Sequence, residues 1–570
     1  MRRFLRGQID YCLREIQCLK DLDLVDFGYS LTWSRQVEHG DFACNIAMLL
    51  AKKLRSSPIE IARKLTDELL SINVIEKIEV AGPGFINIYV RDDCFIKMLF
   101  DFNNKGVNYS LEQKVQDESL ILEYVSANPT GPLHVGHGRG AALGSALANI
   151  LTLAGYDVRQ EYYVNDAGRQ MRLLGLSCFV RILQQLNIDV VLPAGCYKGE
   201  YVAKIAALFV ANGAIDINKF VEIDFNDCAD DKAIDSLIEQ VSCVWGEDNF
   251  LRLCDFAGKY VLDEIKADLE VFGVKPEWFS EKELLANSEV EVLLQKFAKD
   301  DLLYEKDGAV WFKSLLFGDD KDRVLQRANK QLTYFAADAA YHGVKCRRYK
   351  NLINIWGADH HGYVPRIKAV LQALGFGDRA FKCLLVQFVS LVEGKKKVSM
   401  STRSGDFITL SQLVADVGVD VCRFFYLMRK SDQHIEFDLE LARKNSQENP
   451  VYYIQYAYAR ICSILRQVDV ENLVFSDVKM AHLGQHAKPL LVCLAQYNEV
   501  LLSCIDTHEV YLLAVYLQNL AGCLHRYYNL EVCLVEDVQV RDSRLLLLLS
   551  VKAVIEQGLS LLGVSCPEKM

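Results

Sequence analysis

The chain has 570 residues, 51% of them apolar and 24% charged, and a formal net charge of −11. That length exceeds what one hydrophobic core usually fills, so several domains are expected, and the negative balance excludes a protein that coats nucleic acid indiscriminately. It still permits a local basic surface for a folded RNA, because charges are screened within about 10 Å at ordinary salt.

The opening segment MRRFLRGQIDYCLREIQCLK reads as an amphipathic helix. Asp10 and Glu15 argue against a transit peptide, and no signal-type apolar run forms. Helical periodicity follows in FACNIAMLLAKKLRSSPIEIARKLTDELL, then a strand pair, IEKIEVAGPGFINIYV, broken at Gly82, Pro83 and Gly84. Residues 1–105 therefore predict a small α+β domain. The pattern then changes to a strand (ESLILEYV), the turn ANPTGPLHVGHGRG, a helix (GAALGSALANILTLAG, closed by Gly155) and a strand (YDVRQEYYV). Such a βαβ unit implies a parallel sheet covered by helices, placed at 106–425. Residues 195–325 are charge-rich and predict a mostly helical insertion in that domain. A second βα unit is LINIWGADHHGYVPRIKAVLQALG, with one further strand in CLLVQFVSLV. Residues 426–570 predict helices only.

The longest apolar run, SRLLLLLSVKAVI, is short for a membrane span and carries Lys552, so no membrane association is expected. The 18 cysteines include no C-x-x-C pair; the nearest two, Cys12 and Cys18, are six apart. Free thiols in a reducing cytoplasm are expected, rather than a zinc site or a disulfide framework.

His134 and His137 stand in the turn between a strand and a helix. That turn lies at the carboxyl edge of the sheet, where open α/β folds bind ligands, and the helix offers it free N–H groups and a positive dipole end. A phosphate cradle fits this placement. A metal site lacks a third and fourth ligand at suitable spacing, and an ordinary loop is the remaining alternative.

The string His134-Val135-Gly136-His137 resembles the HIGH signature of class I aminoacyl-tRNA synthetases, and SANPTGPLHVGHGRGAALG resembles its arginyl-tRNA synthetase form. GDFACNIAMLLAK, PGFINIYV, YYVNDAGRQM, YKGEYV, TYFAADAAYH, WGADHHGY, SMSTRSGDFITL and ENPVYYIQYAYARI extend the resemblance in the family's order. The resemblance implies a Rossmann-type catalytic core, an N-terminal additional domain touching the tRNA elbow, with GDFACN as its marker, and an all-helical anticodon-binding domain. It implies ligation of L-arginine to tRNA(Arg) through arginyl-adenylate, by a cytoplasmic monomer without an editing domain. Magnesium is expected with ATP, held by phosphates and water rather than by the protein, and no structural metal is expected.

By the same resemblance His134 and His137 donate hydrogen bonds to phosphate oxygens, Gly136 lets the nucleotide approach, and a polyphosphate favours the charged imidazoles. Gly357 and Asp359 meet the adenosine. His360 and His361 either assist them or cap the next helix and face solvent. The family's second phosphate loop, KMSKS, is altered here: Ser399 to Gly405 contain neither lysine, and Gly131 stands where some members carry a substitute lysine. Ser401 is retained in the ATP site, and Arg403 with Lys397 is expected to supply the missing charge. The triplet Lys395 to Lys397 can equally be a solvated hairpin tip. Glu123, Ser126, Asn128, Tyr334 and Asp338 match positions that hold the substrate arginine; Asp338 and Tyr334 are expected to bind the guanidinium, and Glu123 and Asn128 to fix the α-amino end, with His134 near the carboxylate. An acid four residues after a tyrosine is otherwise a common helix-surface pair. Among tyrosines 452, 453, 456 and 458, the RNA-facing set is expected to be Tyr453 and Tyr456 with Gln455 and Arg460; a buried role is the alternative. Two rival readings are a non-catalytic tRNA-binding paralogue and a nucleotidyltransferase of the same superfamily.

Overall fold

The computed structural model describes the chain except for residues 16–27, 35–36, 110, 112–117, 212–222, 224, 226–229, 378–380, 395, 398–407 and 476. The first unit packs helices α1 (Arg2–Glu15), α2 (Ile46–Leu54), α3 (Pro58–Leu70) and α4 (Asp92–Lys105) with an antiparallel sheet. That sheet comprises β1 (Leu31–Trp33), β2 (Phe42–Cys44), β3 (Ile75–Ala81) and β4 (Phe85–Val90) in the order β1-β2-β4-β3. Phe42–Cys44 is a strand where helical periodicity is predicted, because Phe42 and Cys44 both point into the core two residues apart. The helix begins only after Asn45. Ser57 caps α3 by accepting from the Glu60 N–H, with Pro58 at the first helical position.

The second unit is built on five parallel strands: β5 (Ser119–Glu123), β6 (Asp157–Val164), β7 (Glu277–Ser280), β11 (Asn351–Gly357) and β12 (Phe381–Val386), in the order β12-β11-β5-β6-β7. From β5 the chain runs outward through β6 and β7, then returns to the other side as β11 and β12. The switch point therefore lies between the carboxyl ends of β5 and β11. Helix α5 (Val135–Leu153) joins β5 to β6, and α6 (Arg169–Gln185), α7 (Glu200–Ala211), α8 (Asp231–Trp245) and α9 (Glu247–Val271) join β6 to β7. After β7 come α10 (Glu281–Ala286), α11 (Glu289–Lys299) and an antiparallel sheet of β8 (Leu303–Lys306), β9 (Ala309–Phe312) and β10 (Arg323–Gln326). The segment expected to be mostly helical thus contains four strands, one of them in the main sheet. At four residues each they are too short for an alternating pattern to stand out among charged helices.

Helix α12 (Tyr334–Arg348) leads into β11, and α13 (Val364–Ala373) leads into β12. CLLVQFVSLV is two strands rather than one, because the chain leaves the main sheet at Gln387. Its second half, β13 (Val389–Glu393), pairs antiparallel with β14 (Lys396–Lys397) and parallel with β15 (Ile435–Asp438). That last strand corrects the expectation of helices alone beyond 426.

The remaining helices are α14 (Leu410–Val417), α15 (Val419–Leu427), α16 (Leu439–Ala442), α17 (Pro450–Leu465), α18 (Met480–Leu483), α19 (Lys488–Ala495), α20 (Tyr497–Thr507), α21 (Tyr511–Leu530) and α22 (Val538–Leu562). Lys488–Thr507 and α22 are long and apolar enough to cross a membrane by length and composition, unlike the short run expected from sequence, yet 61% and 67% of their most apolar windows are buried inside the protein. Leu545, Leu548, Val551, Ile555 and Leu559 of α22 are fully buried, and the helix packs against α4, α5, α17, α18 and α21.

Candidate active site

Helix α5 begins in an arrangement made by the two histidines themselves. His134 is the N-cap, its Nδ1 accepting from the Gly136 N–H at 3.1 Å, and the His134 N–H donates back to Nδ1 of His137 at 3.2 Å. The rings stack at 3.7 Å. Because both Nδ1 atoms accept from peptide N–H groups, each neutral imidazole carries its proton on Nε2, which becomes its donor. Burial pushes His134 below its usual pKa and His137 to about 3, with His134 nearby adding to the second shift. In the ligand-free chain both rings are therefore neutral donors. A Cβ on Gly136 would lie 2.9 Å from Cε1 of His134, so this glycine also makes room for the capping ring.

The turn before the helix is strained. Val125 and Ser126 hold φ of 67° and 39°, a region that a β-branched residue rarely enters. It is over-determined by its neighbours: the Ser126 hydroxyl donates to Glu123 at 3.1 Å and accepts from the Tyr163 N–H at 3.1 Å. Below it, Asn354, Glu123 and Glu161 sit side by side on three parallel strands. Such a polar row inside a parallel sheet needs compensation. Lys345 of α12, 1% exposed at its side chain, donates to Glu123 at 2.7 Å and to Asn354 at 2.9 Å, and Asn354 donates to Glu123 at 2.9 Å. Burial would raise the Glu123 pKa, but Lys345, His342 and the hydrogen bonds outweigh it and hold it low. Glu161 accepts from the Tyr341 hydroxyl at 2.6 Å. Glu123 and Ser126 thus shape the floor of the site, and their polar atoms are engaged with protein partners.

Two cavities meet over this floor, of about 440 and 370 Å³, sharing Val125, Ser126, Asn128, Trp356, Gly357 and His360. The smaller is lined by His134, Gly136, His137, Asp359, Gln387 and Phe388. The larger ends on Tyr334, Asp338, Glu281 and Tyr363. Thr333 caps α12, placing Tyr334 at its first turn, half exposed at the cavity wall, and Asp338 one turn deeper. Burial raises the Asp338 carboxyl to about 7, with Glu123 and Glu281 adding and a hydrogen bond from Tyr363 opposing. Burial likewise raises Glu281 to about 7, against a hydrogen bond from Tyr163. Sequence reading gives no reason to single out Glu281, which lies 57 residues before Asp338 among many other acids. Only the short strand β7 brings it to the sheet edge. Among the described residues no cluster of three potential metal ligands occurs.

Gly357 ends β11, where a Cβ would collide with the Asp359 carboxylate. His360 lines both cavities and lies 3.5 Å from Asp359, whereas Nδ1 of His361 turns to the Ala358 carbonyl at 3.2 Å and lines neither. Ser401, Arg403 and Lys395 lie outside the described residues. Lys397 is on the exposed strand β14, 3.8 Å from Glu436. At Gly131 the Tyr201 hydroxyl fills the neighbouring space and donates to the Thr130 carbonyl at 2.6 Å, which braces the turn.

On α17 the tyrosines divide. Tyr458 is buried, while Tyr452, Tyr453 and Tyr456 are half-buried along one face. Tyr456 stacks with Tyr452 and with His525 of α21, and Arg460 lies 3.8 Å over Tyr528 while donating to the Tyr456 hydroxyl at 3.2 Å. Gln455 points the other way: it is 9% exposed and its amide donates to Asp420 at 2.8 Å and to the Ser565 carbonyl at 3.0 Å. A glutamine one position from Tyr456 on a helix must face about 100° away from it.

Comparison with known proteins places this geometry. Family models described as arginyl tRNA synthetase N terminal domain, tRNA synthetases class I (R) catalytic domain, and DALR anticodon binding domain match residues 4–90, 102–191 with 238–436, and 454–570. An arginine–tRNA ligase of Legionella pneumophila strain Corby is 46% identical over 547 residues, covering 93% of each chain. One of Thioalkalivibrio sulfidiphilus is 43% identical over 555 residues, covering 95% of each. The arginyl-tRNA synthetase structure of Thermus thermophilus shares the fold over the full length of both chains, with a TM-score of 0.74 at 20% identity. With an imidazole-capped helix at a sheet switch point, a carboxylate-ended cavity beside it and a relative this similar along nearly its whole length, the chain belongs to the arginyl-tRNA synthetases of class I.

Proposed function

We propose that the two joined cavities hold arginine and ATP end to end, and that the chain ligates arginine to tRNA(Arg) there in two steps. An oxygen of the arginine carboxylate attacks the α-phosphorus of ATP, giving arginyl-adenylate and releasing pyrophosphate. A hydroxyl of the tRNA's terminal ribose then attacks the adenylate carbonyl carbon, and AMP leaves. Neither step needs a protein nucleophile; both need aligned reactants and donors aimed at phosphate oxygens. The ring N–H groups of His134 and His137 supply those donors, and the positive dipole end of α5 favours the anion they meet. Gly357 and Asp359 meet the adenosine, and Asn128 the amino end of arginine. Arg403 and Lys397 supply positive charge to the leaving pyrophosphate.

The observation that carries this reading is the pair of carboxylates at the far end of the larger cavity, Glu281 buried and Asp338 half-buried. A guanidinium is planar, always charged and rich in donors. Asp338 and Glu281 offer it two acceptors whose cost of ionisation a cation removes. Tyr334 closes over its plane. A ligand lacking the guanidinium would leave both acids unsatisfied, so lysine and apolar amino acids are rejected without editing. Magnesium enters with ATP, held by phosphates and water. Tyr453, Tyr456 and Arg460 face the anticodon loop of the tRNA, and the N-terminal unit its elbow. The enzyme acts as a monomer, without a membrane. The described cysteines are all free thiols, which supports the cytoplasm.

Aminoacylation assayed with each common amino acid, ATP and tRNA(Arg) tests the reading. Arginine-dependent charging with release of AMP is expected. Charging by another amino acid, or no ATP turnover with arginine and tRNA together, overturns it.

A further inference from the structure

We infer that Cys523 of α21 and Cys493 of α19 are an oxidation site, a thiol pair that a hydroperoxide closes to a disulfide, and that closure weakens tRNA binding. The site lies outside the ligation chemistry; its effect on tRNA rests on the reading that α17 meets the anticodon loop.

Helices α19 and α21 pack side by side, and the two thiols meet across their seam, Cys493 hydrogen-bonding to the sulfur of Cys523. Cys493 is 7% exposed and Cys523 half-buried, so a small oxidant reaches Cys523 first. One turn along α21, Arg526 at the surface donates from Nη2 to the Cys523 sulfur at 3.5 Å. An S–H donor and a guanidinium both favour a thiolate. Their hydrogen bonds outweigh burial and hold the Cys523 thiol below its ordinary pKa, whereas the shared hydrogen bond and burial push Cys493 up. Burial instead raises the half-buried thiols Cys12, Cys94, Cys383 and Cys566. The Tyr516 hydroxyl, on the same helix as Cys523 and 4% exposed, lies beside both sulfurs and has no hydrogen-bond partner among the described residues. A buried donor with nothing to donate to is costly, and an oxygen delivered to this spot would satisfy it.

With hydrogen peroxide the steps balance. The Cys523 thiolate attacks one peroxide oxygen, the O–O bond breaks, and hydroxide leaves and takes up the proton that the thiol had released, so Cys523 becomes a sulfenic acid. The Cys493 sulfur then attacks the Cys523 sulfur, the S–OH bond breaks, and the hydroxyl leaves with the Cys493 proton as water. The two thiols are oxidised to a disulfide and the peroxide is reduced to water. Tyr516 donates to the sulfenic oxygen in the intermediate. A transient disulfide of this kind is compatible with free thiols at rest.

Helix α21 also carries His525 and Tyr528, which pack on Tyr456 and Arg460 of α17. Replacing a hydrogen bond between sulfurs by a covalent one draws α21 onto α19, and in a close-packed seam the rings it carries move with it. The tyrosine face is then misaligned for RNA.

The test treats the reduced full-length enzyme with equimolar hydrogen peroxide at neutral pH and maps its thiols by mass spectrometry. A peptide pair joined through Cys493 and Cys523 is expected, reversed by dithiothreitol and formed before Cys243, the exposed thiol among those described, reacts. Cys523→Ser should abolish the link, Cys493→Ser should leave a sulfenic acid at Cys523 that dimedone traps, and Arg526→Met or Tyr516→Phe should slow thiol loss about threefold or more. The last two keep the site testable should a serine variant fail to fold. Linked enzyme is expected to show KM for tRNA(Arg) raised about threefold or more with KM for arginine unchanged, and Cys523→Ser treated alike to show neither change. Oxidation of Cys243 ahead of Cys523, or absence of the link in the parent enzyme, overturns the site. An unchanged KM for tRNA in linked enzyme overturns the effect on tRNA if Tyr456→Ala raises that KM; if Tyr456→Ala also leaves it unchanged, the anticodon reading itself fails and the effect on tRNA with it.

Discussion

His134 holds the helix start through Nδ1, and the proposed function gives the same ring a second task, donation to phosphate. Asparagine caps helices well but has no donor at the position of Nε2, so His134→Asn should cost under about 1 kcal/mol of stability. Single-turnover adenylate formation, by contrast, should fall by at least about a hundredfold if the ring donor acts in the transition state. Quench-flow rates beside denaturant midpoints check both. The acids predict a pH dependence. Asp338 and Glu281 ionise near 7 in the empty site, and a guanidinium binds their charged forms, so arginine affinity should weaken as pH falls from 8 to 6. Calorimetric titration reads this, and proton release should accompany binding in that window. His137, pushed to about 3, should contribute no limb there. The folded pKa of Asp338 lies above its unfolded value of 3.8, so the acid's stability contribution is full below about 4 and is lost as pH rises toward 7. Asp338→Asn should therefore raise the melting temperature of the empty protein, by a margin that grows from pH 5 to pH 8, while abolishing charging.

Helix α5 shows how an element is fixed from outside. Its glycines are contact points more than sources of freedom: a Cβ on Gly144 would enter the Tyr124 ring, and one on Gly138 would lie 2.7 Å from Leu410. Gly144→Ala should cost about 1–3 kcal/mol by overpacking. Because Tyr124 precedes the strained Val125–Ser126 turn, kcat should fall with it; urea midpoints and pyrophosphate exchange measure the two effects. In α12, Tyr334, Asp338, Tyr341, His342 and Lys345 line one side. Its outer end lines the larger cavity and its inner end neutralises the polar row beneath. Removing Lys345 alone should destabilise by about 3–5 kcal/mol, since Glu123 would stay buried without its cation.

Among the described residues, the N-terminal unit is fastened to the C-terminal helices. Glu499 of α20 accepts from the Arg2 N–H at 2.7 Å and from the Trp33 indole at 3.0 Å. Lys488 of α19 lies 3.3 Å from Asp41 and 3.4 Å from Asp92. Asp41 belongs to the GDFACN string that marks the domain, and its side chain is turned inward to this joint. Lys488→Met leaves that 5%-exposed acid without its cation, at a cost of about 1–3 kcal/mol. The N-terminal unit should then melt earlier, and KM for tRNA should rise while KM for arginine holds.

Local pattern alone determined the βαβ unit, the hairpin at Gly82–Gly84 and the family, because turn chemistry, periodicity and contiguous strings are properties of neighbouring residues; the start of α5, at Val135 rather than Gly140 and capped by His134, was not among them. It also brought His134, Tyr334 and Asp338 to notice. The tertiary structure decided what depends on distance along the chain. It brought Glu281 to the cavity wall beside Asp338, turned Glu123 toward Lys345, 222 residues away, faced Gln455 inward, and made strands of Glu277–Ser280 and Ile435–Asp438. Burial and charge pairing between remote segments set those roles, and no window of the sequence contains both partners.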